Sequence, residues 1–478
     1  MSRSRWWGVV ALSLLAGCGA APIRDVEQDP LSTPTSASAP GEVIGTVGAD
    51  SLDDPYFPGL GNGGYDVDHY DIDLAWTETD GSIEATTTIT ATATQDLERF
   101  TLDLSGLEVE SVQVDGSPAM QDVTDSELEV TAASPIAAGD VFTVSVAYGG
   151  VPEPITEGAE LFDLGWNSDL EDRGAYVVSE PAGAASWFPA NDHPSDKATY
   201  SFRLDVPEGL LAAANGELLA QTTDAGRTVF EWEMDDPMAS YLATVVIGDY
   251  ELVSTEGASG VPVRNVFPID LPADARQSFD RTDDMIAGLA EVLGPYPFDE
   301  YGVAVVDETL FFALETQTLS IFGYGPAPEY IVVHELAHQW FGNSVSPATW
   351  RDIWLNEGFA TYVEWIWGEI DRDRPAADAA RAELARAGDR LDTPPGDPGV
   401  DDMFAPTVYI RGALTLQALR ESVGDDDFFT ILRTWLERYE GGSASTADFV
   451  GLAEEVSGAD LDDLFDLWLE SDELPDLD

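Results

Sequence analysis

The sequence contains few basic residues and almost no cysteine. Its 478 residues include 21 Lys and Arg against 90 Asp and Glu, four histidines and one cysteine. With Cys18 as the only cysteine, an intrachain disulfide is excluded. A formal net charge of −69 repels nucleic acid and anionic membrane surfaces, so we expect no nucleic-acid partner.

The excess of negative charge has two interpretations. Self-repulsion destabilises a compact state, and salt screens that repulsion, which favours adaptation to a salty habitat. An acidic surface that keeps the protein soluble is the alternative. Hydrophobic residues make up 44% of the chain, a normal share for a globular protein, which argues against disorder.

The N-terminus carries features of an export signal. Two arginines precede an apolar run from Trp6 to Gly17, which is too short to span a bilayer. The run ends in Leu15-Ala16-Gly17-Cys18, which resembles a lipobox. We therefore expect a lipoprotein signal peptide over residues 1–17, lipidation of Cys18, and a cell-surface protein anchored to the outer face of the cell membrane. A plain secretory signal with an incidental cysteine is the alternative.

The rest of the chain predicts two domains of different architecture. Residues 18–58, rich in Ser, Thr and Pro, predict a flexible tether. Period-two alternation over 59–255 predicts an antiparallel β domain, a sandwich or saddle. Residues 256–478 predict a mainly helical domain, so the fold class is two-domain α+β. The predicted helices there are 275–293, 328–343, 353–369, 375–391, 408–422, 426–439, 446–457 and 461–470.

Two of the four histidines flank a glutamate in His334-Glu335-Leu336-Ala337-His338. On a helix, positions four apart share a face, so both imidazoles can reach one metal ion. Glu357, on the next predicted helix, would be the third ligand, which leaves one position of a tetrahedral zinc ion open for water. Glu335 would then act as the general base. A helix with two surface histidines is the alternative.

Glu364 follows Glu357 by seven residues on the same helical face. Its carboxylate could accept a hydrogen bond from a metal-bound imidazole and so determine the tautomer of the ring. The alternative for Glu364 is a solvated surface glutamate.

These motifs resemble the gluzincin aminopeptidase N family. The resemblance rests on His334 to Asn343 and on Trp354-Leu355-Asn356-Glu357-Gly358-Phe359-Ala360. Residues 59–70 and 187–198 resemble the family's opening strand and mid-domain motif, so nearly all of the mature chain is covered. The resemblance implies a thermolysin-like catalytic domain over 256–478, in a short form that lacks the helical C-terminal domain of larger members.

The resemblance also implies roles for individual residues. Glu315 matches the glutamate of the family's exopeptidase motif, and Glu180 matches its companion in the β domain; both would hold the substrate's α-ammonium. Ala313 would contact substrate, and Phe312, where the family has glycine, would reshape the first side-chain pocket. Tyr409 would donate to the oxyanion, and Asn356 would support the adjacent ligand; an isolated tyrosine otherwise more often serves packing.

We therefore expect a zinc metallo-aminopeptidase with one zinc ion per chain, acting on peptides with free N-termini. A metal-activated water would attack the first peptide bond, with Glu335 as general base. Two alternatives remain: an endopeptidase on the same scaffold, and a binding protein with an inactive site.

Overall fold

The computed structural model describes residues 45–124, 126–155, 163–169, 174–306, 310 and 312–477. The predicted signal peptide, Cys18 and residues 18–44 of the predicted tether lie outside the described residues. No helix in the described part of the chain combines the length and apolar character that crossing a membrane requires.

The first domain is built from strands. They are β1 (Thr46–Val47), β2 (Tyr65–Trp76), β3 (Ile83–Ala93), β4 (Leu97–Asp103), β5 (Glu108–Val114), β6 (Ser117–Pro118), β7 (Met120–Val123), β8 (Glu127–Ile136), β9 (Val141–Gly150), β10 (Gly165–Asp169), β11 (Gly174–Val178), β12 (Lys197–Pro207), β13 (Leu211–Ala214), β14 (Glu217–Asp224), β15 (Arg227–Ala239) and β16 (Val245–Gly248).

These strands form three sheets. The largest has the order β14-β15-β12-β2-β3-β9-β5-β6, and two four-stranded sheets have the orders β1-β4-β8-β7 and β10-β11-β16-β13. Side chains of β12 alternate between buried and half-buried positions, as the period-two pattern predicts. Inside the domain, Tyr70 of β2 stacks on Tyr200 of β12 with ring centroids 4.9 Å apart.

Among the described residues of the first domain, most strand pairs are antiparallel, as expected, but two are parallel. Strand β12 runs parallel to β2, from the pair Thr199–His69 to the pair Asp205–Ala75, and β1 runs parallel to β4. Alternation in the sequence determines which face of a strand is buried, and it carries no information on the direction of the neighbouring strand. The antiparallel prediction is therefore wrong for these two pairs.

Residues 45–58 connect the two domains. Strand β1 pairs with β4 in the first domain, whereas Asp54 Oδ2 accepts a 2.8 Å hydrogen bond from the backbone N–H of Trp350 in the second. The hydroxyl of Tyr56 donates to Asp397 Oδ1 at 2.7 Å. The prediction of a flexible tether is wrong for this stretch, because polar and backbone contacts, which leave no apolar periodicity, hold it in place.

The second domain begins with a five-stranded sheet of order β17-β18-β19-β21-β20. Strand β17 pairs with β18 along its whole length, so the domain boundary lies before residue 250 rather than after residue 255. The strands of this domain are β17 (Tyr250–Glu256), β18 (Pro262–Pro268), β19 (Val303–Val305), β20 (Ala313–Leu314), β21 (Ser320–Phe322), β22 (Ser346–Pro347) and β23 (Ser443–Ala444).

Helices make up the remainder of the second domain. They are α1 (Ala273–Gln277), α2 (Thr282–Leu293), α3 (Glu329–Ala337), α4 (Trp354–Arg372), α5 (Ala376–Ala387), α6 (Gly412–Val423), α7 (Asp425–Tyr439), α8 (Thr446–Ser457) and α9 (Asp462–Phe465). A π-helical turn over Thr407–Arg411 leads into α6, and another over Asp466–Glu470 follows α9. The predicted helix 275–293 is two helices, and α3 is six residues shorter than predicted at its C-terminal end.

The single lysine of the chain joins the two domains behind α3. Lys197, at the start of β12, donates from Nζ to the carbonyl oxygens of Asn343 at 2.6 Å, Ser344 at 3.1 Å and Gly442 at 3.4 Å. An ammonium group has three protons to donate, so one side chain satisfies three carbonyls of the second domain. This contact holds the loop after α3 against the β domain.

Candidate metal centre and substrate cleft

The two histidines of the predicted metal site project from α3 toward α4. His334 lies in the last turn of α3, and His338 is the residue at which the helix ends. Nε2 of His334 lies 3.1 Å from Oε2 of Glu357, and Nε2 of His338 lies 3.5 Å from the same oxygen. The segment that follows α3 packs against α4, with the ring centroids of Phe341 and Phe359 4.7 Å apart. The structure therefore brings the three predicted ligands together.

The second nitrogen of each imidazole has an acceptor. Nδ1 of His334 lies 2.9 Å from Oε1 of Glu364, and Nδ1 of His338 lies 3.1 Å from the carbonyl oxygen of Phe341. When each Nδ1–H donates a hydrogen bond to its oxygen, the Nε2 atom of each ring is left to bind a metal ion beside Glu357. Two imidazole nitrogens and one carboxylate oxygen suit zinc. The donor set of this chain fits the ion.

Glu335 and Tyr409 lie next to the metal ligands. Glu335 is buried on α3, and its carboxylate lies within 4.8 Å of ligand atoms of Glu315 and His338; burial raises its pKa to about 8. Tyr409 is half-buried in the π-helical turn before α6, and its ring stacks on His334 with centroids 5.9 Å apart. Both predicted catalytic side chains therefore lie beside the cluster of metal ligands.

Glu180 and Glu315 form a pair of buried carboxylates beside that cluster. Glu180 follows β11 and is 4% exposed, and Glu315 follows β20 and is 2% exposed. Their oxygens lie within 4.8 Å of one another and of Glu357. One oxygen of each has no hydrogen-bond partner among the described residues. Burial, followed by the charge of Glu315, raises the pKa of Glu180 well above its ordinary value.

Two side chains that the sequence did not single out hold Glu315 in position. Nε2 of Gln339 donates to the backbone carbonyl of Glu315 at 3.0 Å, and Nδ2 of Asn343 donates to the same oxygen at 2.7 Å. Both belong to the segment 334–343 on which the family resemblance rests. Their place in that motif indicated that they could matter for the site, but only the structure reveals that they bind the backbone carbonyl of Glu315.

Asn356, the residue before the ligand Glu357, contacts the first domain. It is fully buried, and the contact that the structure gives its side-chain amide is with the hydroxyl of Tyr241 in the first domain, at 3.4 Å. The residue before a ligand on a helix faces about 100° away from it, so Asn356 points toward the β domain. The predicted support of the adjacent ligand stays a prediction, and the structure adds a contact between domains.

A cavity of about 860 Å³ joins these groups. It is lined by the three ligands, by Glu335 and Tyr409, by the pair Glu180 and Glu315, and by Phe312 and Ala313. One face of α4 forms a wall of this cleft, with Glu357, Thr361, Glu364, Trp365, Gly368 and Arg372. The sequence predicted Glu357 and Glu364 but not the other four residues of this wall. Helical periodicity from Glu357 onward places them on the same face.

The α+β fold and the zinc-binding donor set inside a cleft define a metallopeptidase class. The protein-family model of the peptidase M1 N-terminal domain matches residues 66–242 of the sequence, and that of the peptidase family M1 domain matches residues 294–468. The chain belongs to peptidase family M1. The predicted family, fold class, metallopeptidase class and zinc cofactor are confirmed.

Solved structures and curated relatives agree with this assignment. An M1 zinc metallopeptidase from Deinococcus radiodurans is 33% identical with a TM-score of 0.84, over 89% of this chain and 98% of that one. A mutant of that enzyme, also 33% identical with a TM-score of 0.84, was solved bound to a Tyr-ser-ala substrate, and the match covers 89% of this chain and 99% of that one.

Two curated relatives are more distant. Leucyl aminopeptidase of Saccharolobus solfataricus is 24% identical over 78% of this chain and 50% of that protein. Aminopeptidase M1 of Arabidopsis thaliana is 26% identical over 66% of this chain and 41% of that protein. The chain thus spans half or less of the length of these curated relatives.

Proposed function

We propose that this protein is an aminopeptidase, which hydrolyses the first peptide bond of peptides with free N-termini. The observation that carries the proposal is the buried pair Glu180 and Glu315 beside the metal ligands. Two relatives are named aminopeptidases, which supports the same activity for this chain.

The carboxylate pair supports selection of a free N-terminus. An α-amino group has a pKa near 8 and is mostly cationic at neutral pH, whereas an N-acylated or internal nitrogen carries no charge. One oxygen on each carboxylate is available for an ammonium donor. Buried carboxylates without a cation are costly, so the site favours a substrate that brings one. Binding the ammonium next to the ligands brings only the first peptide bond to the metal.

The catalytic steps follow from the positions of the other side chains. Zinc supplies Lewis-acid activation of the water and the scissile carbonyl when it is bound. Glu335 takes the proton of the attacking water and delivers it to the leaving amine. The phenol of Tyr409 donates to the oxyanion that develops on the carbonyl oxygen. Glu364 holds the His334 ring in the orientation that the reaction needs.

The location of the protein is a separate part of the proposal. Leu15-Ala16-Gly17-Cys18 at the end of the apolar run supports export, cleavage before Cys18 and attachment to the outer face of the cell membrane through a lipid on that residue. Mass spectrometry of the mature N-terminus tests this. A lipid-modified Cys18 is expected, and an unmodified N-terminus beyond residue 18 would refute the anchor.

A matched pair of chromogenic substrates tests the aminopeptidase proposal. We expect hydrolysis of an aminoacyl-p-nitroanilide and no hydrolysis of its N-acetylated form. Glu315→Gln should lower kcat/KM for the free substrate by about 100-fold, because it removes a buried charge partner of the ammonium. Glu437→Gln, an exposed glutamate on α7, is the control and should behave as wild type. Equal cleavage of the acetylated substrate would overturn exopeptidase specificity.

A further inference from the structure

The cleft contains basic side chains as well as acidic ones. Its lining includes Arg372, Arg374 and Arg386, in a chain that has 21 Lys and Arg against 90 Asp and Glu. Arg372 is the last residue of α4, Arg374 follows two residues later, and Arg386 lies on the neighbouring helix α5. The metal ligand Glu357 is in the first turn of α4. The wall therefore runs from carboxylates at one end of α4 to guanidinium groups at the other.

The three arginines differ in whether their guanidinium groups pair with carboxylates of the protein. Arg372 is bound to Glu329 and lies 3.3 Å from Asp371, and Arg386 donates to Glu383 at 2.5 Å. Arg374 is an exposed residue that lines the cleft, and it forms no ion pair with a carboxylate among the described residues. Arg374 is thus the basic group of this wall that is available to an incoming anion.

The length of α4 determines which part of a substrate can reach these arginines. Fifteen residues separate Glu357 from Arg372, which is about 22 Å along a helix axis. An extended peptide advances about 3.3 Å per residue, so roughly six or seven residues cover this distance. A peptide with its ammonium group on Glu180 and Glu315 would therefore present its sixth to eighth residue to the arginines.

We propose that Arg374, assisted by Arg372 and Arg386, binds a carboxylate of the peptide substrate and so selects peptides of about six to eight residues. This inference rests on the proposed aminopeptidase function, since it assumes a peptide bound by its N-terminus. A guanidinium group pairs with a carboxylate through two parallel hydrogen bonds, which gives both orientation and affinity. The carboxylate is that of the C-terminus or of an acidic side chain at the same position.

A series of peptides with free or amidated C-termini tests the inference. The peptides share an N-terminal residue that the enzyme releases from an anilide, are otherwise alanine, and contain three to ten residues. We expect kcat/KM for the free acid to exceed that for the amide by about tenfold at six to eight residues, with little difference at three. An amidated peptide with one Asp near position seven distinguishes the two sources, because its hydrolysis would match the free acid if an acidic side chain also binds.

Two variants test whether the arginines of the cleft cause the difference in kcat/KM between free-acid and amidated peptides. Arg374→Gln removes a charge that no carboxylate of the described residues pairs with. We expect this variant to bring the ratio of kcat/KM for the free acid to kcat/KM for the amide close to one. Arg386→Gln should lower this ratio less. Arg438→Gln removes the same charge from the surface, where Arg438 pairs with Glu455, and should keep the wild-type ratio.

Three results would overturn the inference: a wild-type ratio near one at every length, a ratio unchanged in Arg374→Gln, or an equal fall in Arg438→Gln. These differ from a failure of the proposed function, in which the wild-type enzyme would hydrolyse neither the anilide nor any peptide.

Discussion

One carboxylate oxygen of Glu357 lies close to the Nε2 atoms of both histidines, and the groups around it determine the chemistry of the cleft. The sequence predicted the ligands because their spacing reflects helix geometry. It did not predict that the backbone carbonyl of Glu315 is held by Gln339 and Asn343. A bond from a side chain to a distant backbone oxygen leaves no pattern in the sequence.

Tyr409 provides a test at the residue scale. We expect Tyr409→Phe to lower kcat for an aminoacyl-anilide by about 100-fold with little change in KM, because the phenol acts only on the developing oxyanion. Tyr439→Phe, which changes a tyrosine packed on Trp435, is the matched control. A variant that kept wild-type kcat would assign Tyr409 to packing alone.

Helices α3 and α4 act as one element, since each supplies ligands and α4 also supplies the acceptor for a ligand ring. The length of α4 was predicted closely by its apolar periodicity. The end of α3 was not, because the chain turns after His338 and passes through Gly342, whose φ of 117° is readily adopted only by glycine. The pairing of β12 with β2 was missed for a related reason: strands distant in sequence choose partners through tertiary packing.

Glu364 gives a test at the element scale. We expect Glu364→Ala to weaken zinc binding by 10- to 100-fold, because His334 loses the acceptor that orients its ring. Competition with a chromogenic chelator measures the affinity, and circular dichroism confirms that α4 stays folded. The exposed Glu437 on α7 gives the control variant Glu437→Ala. Unchanged zinc affinity in Glu364→Ala would show that the contact with His334 has no role in metal binding.

At the scale of the whole molecule, the acidic residues of the chain include carboxyl groups that are buried in the β domain. Burial raises the pKa of Asp196 to about 8 and that of Asp192 to about 6, and partial burial raises the pKa of the half-buried Glu127 to about 7. Composition predicted the acidity of the chain but not which carboxylates are buried. Asp196 accepts hydrogen bonds from the backbone of Val67 and from the side chain of Asn191. Its buried carboxyl group therefore belongs to the hydrogen-bond network that stabilises the β domain.

These buried carboxylates predict how stability depends on pH. Their folded-state pKa values lie above the unfolded values near 4. Through these three groups the folded protein binds more protons than the unfolded chain between about pH 4 and 8, so the stability that they contribute falls as pH rises through this window. We expect the free energy of unfolding at pH 6 to exceed that at pH 8 by on the order of 2 kcal/mol. Denaturant titration at constant ionic strength measures it.

The variant Asp196→Asn supplies the control for this prediction. Asparagine has a similar shape but does not titrate, so the difference in stability between pH 6 and pH 8 should become smaller than in wild type. Greater wild-type stability at pH 8, or the same pH dependence in Asp196→Asn, would contradict the assignment of the effect to buried carboxylates.

Mass spectrometry of a peptide digest over time tests the central claim most directly. A ten-residue peptide with a free N-terminus is incubated with the zinc-loaded protein, with the chelator-treated protein, and with the treated protein after zinc is restored. We predict products shortened one residue at a time from the N-terminus, no products after chelation, and recovery with zinc. Internal cleavage, or an undiminished series of products without zinc, would contradict the account.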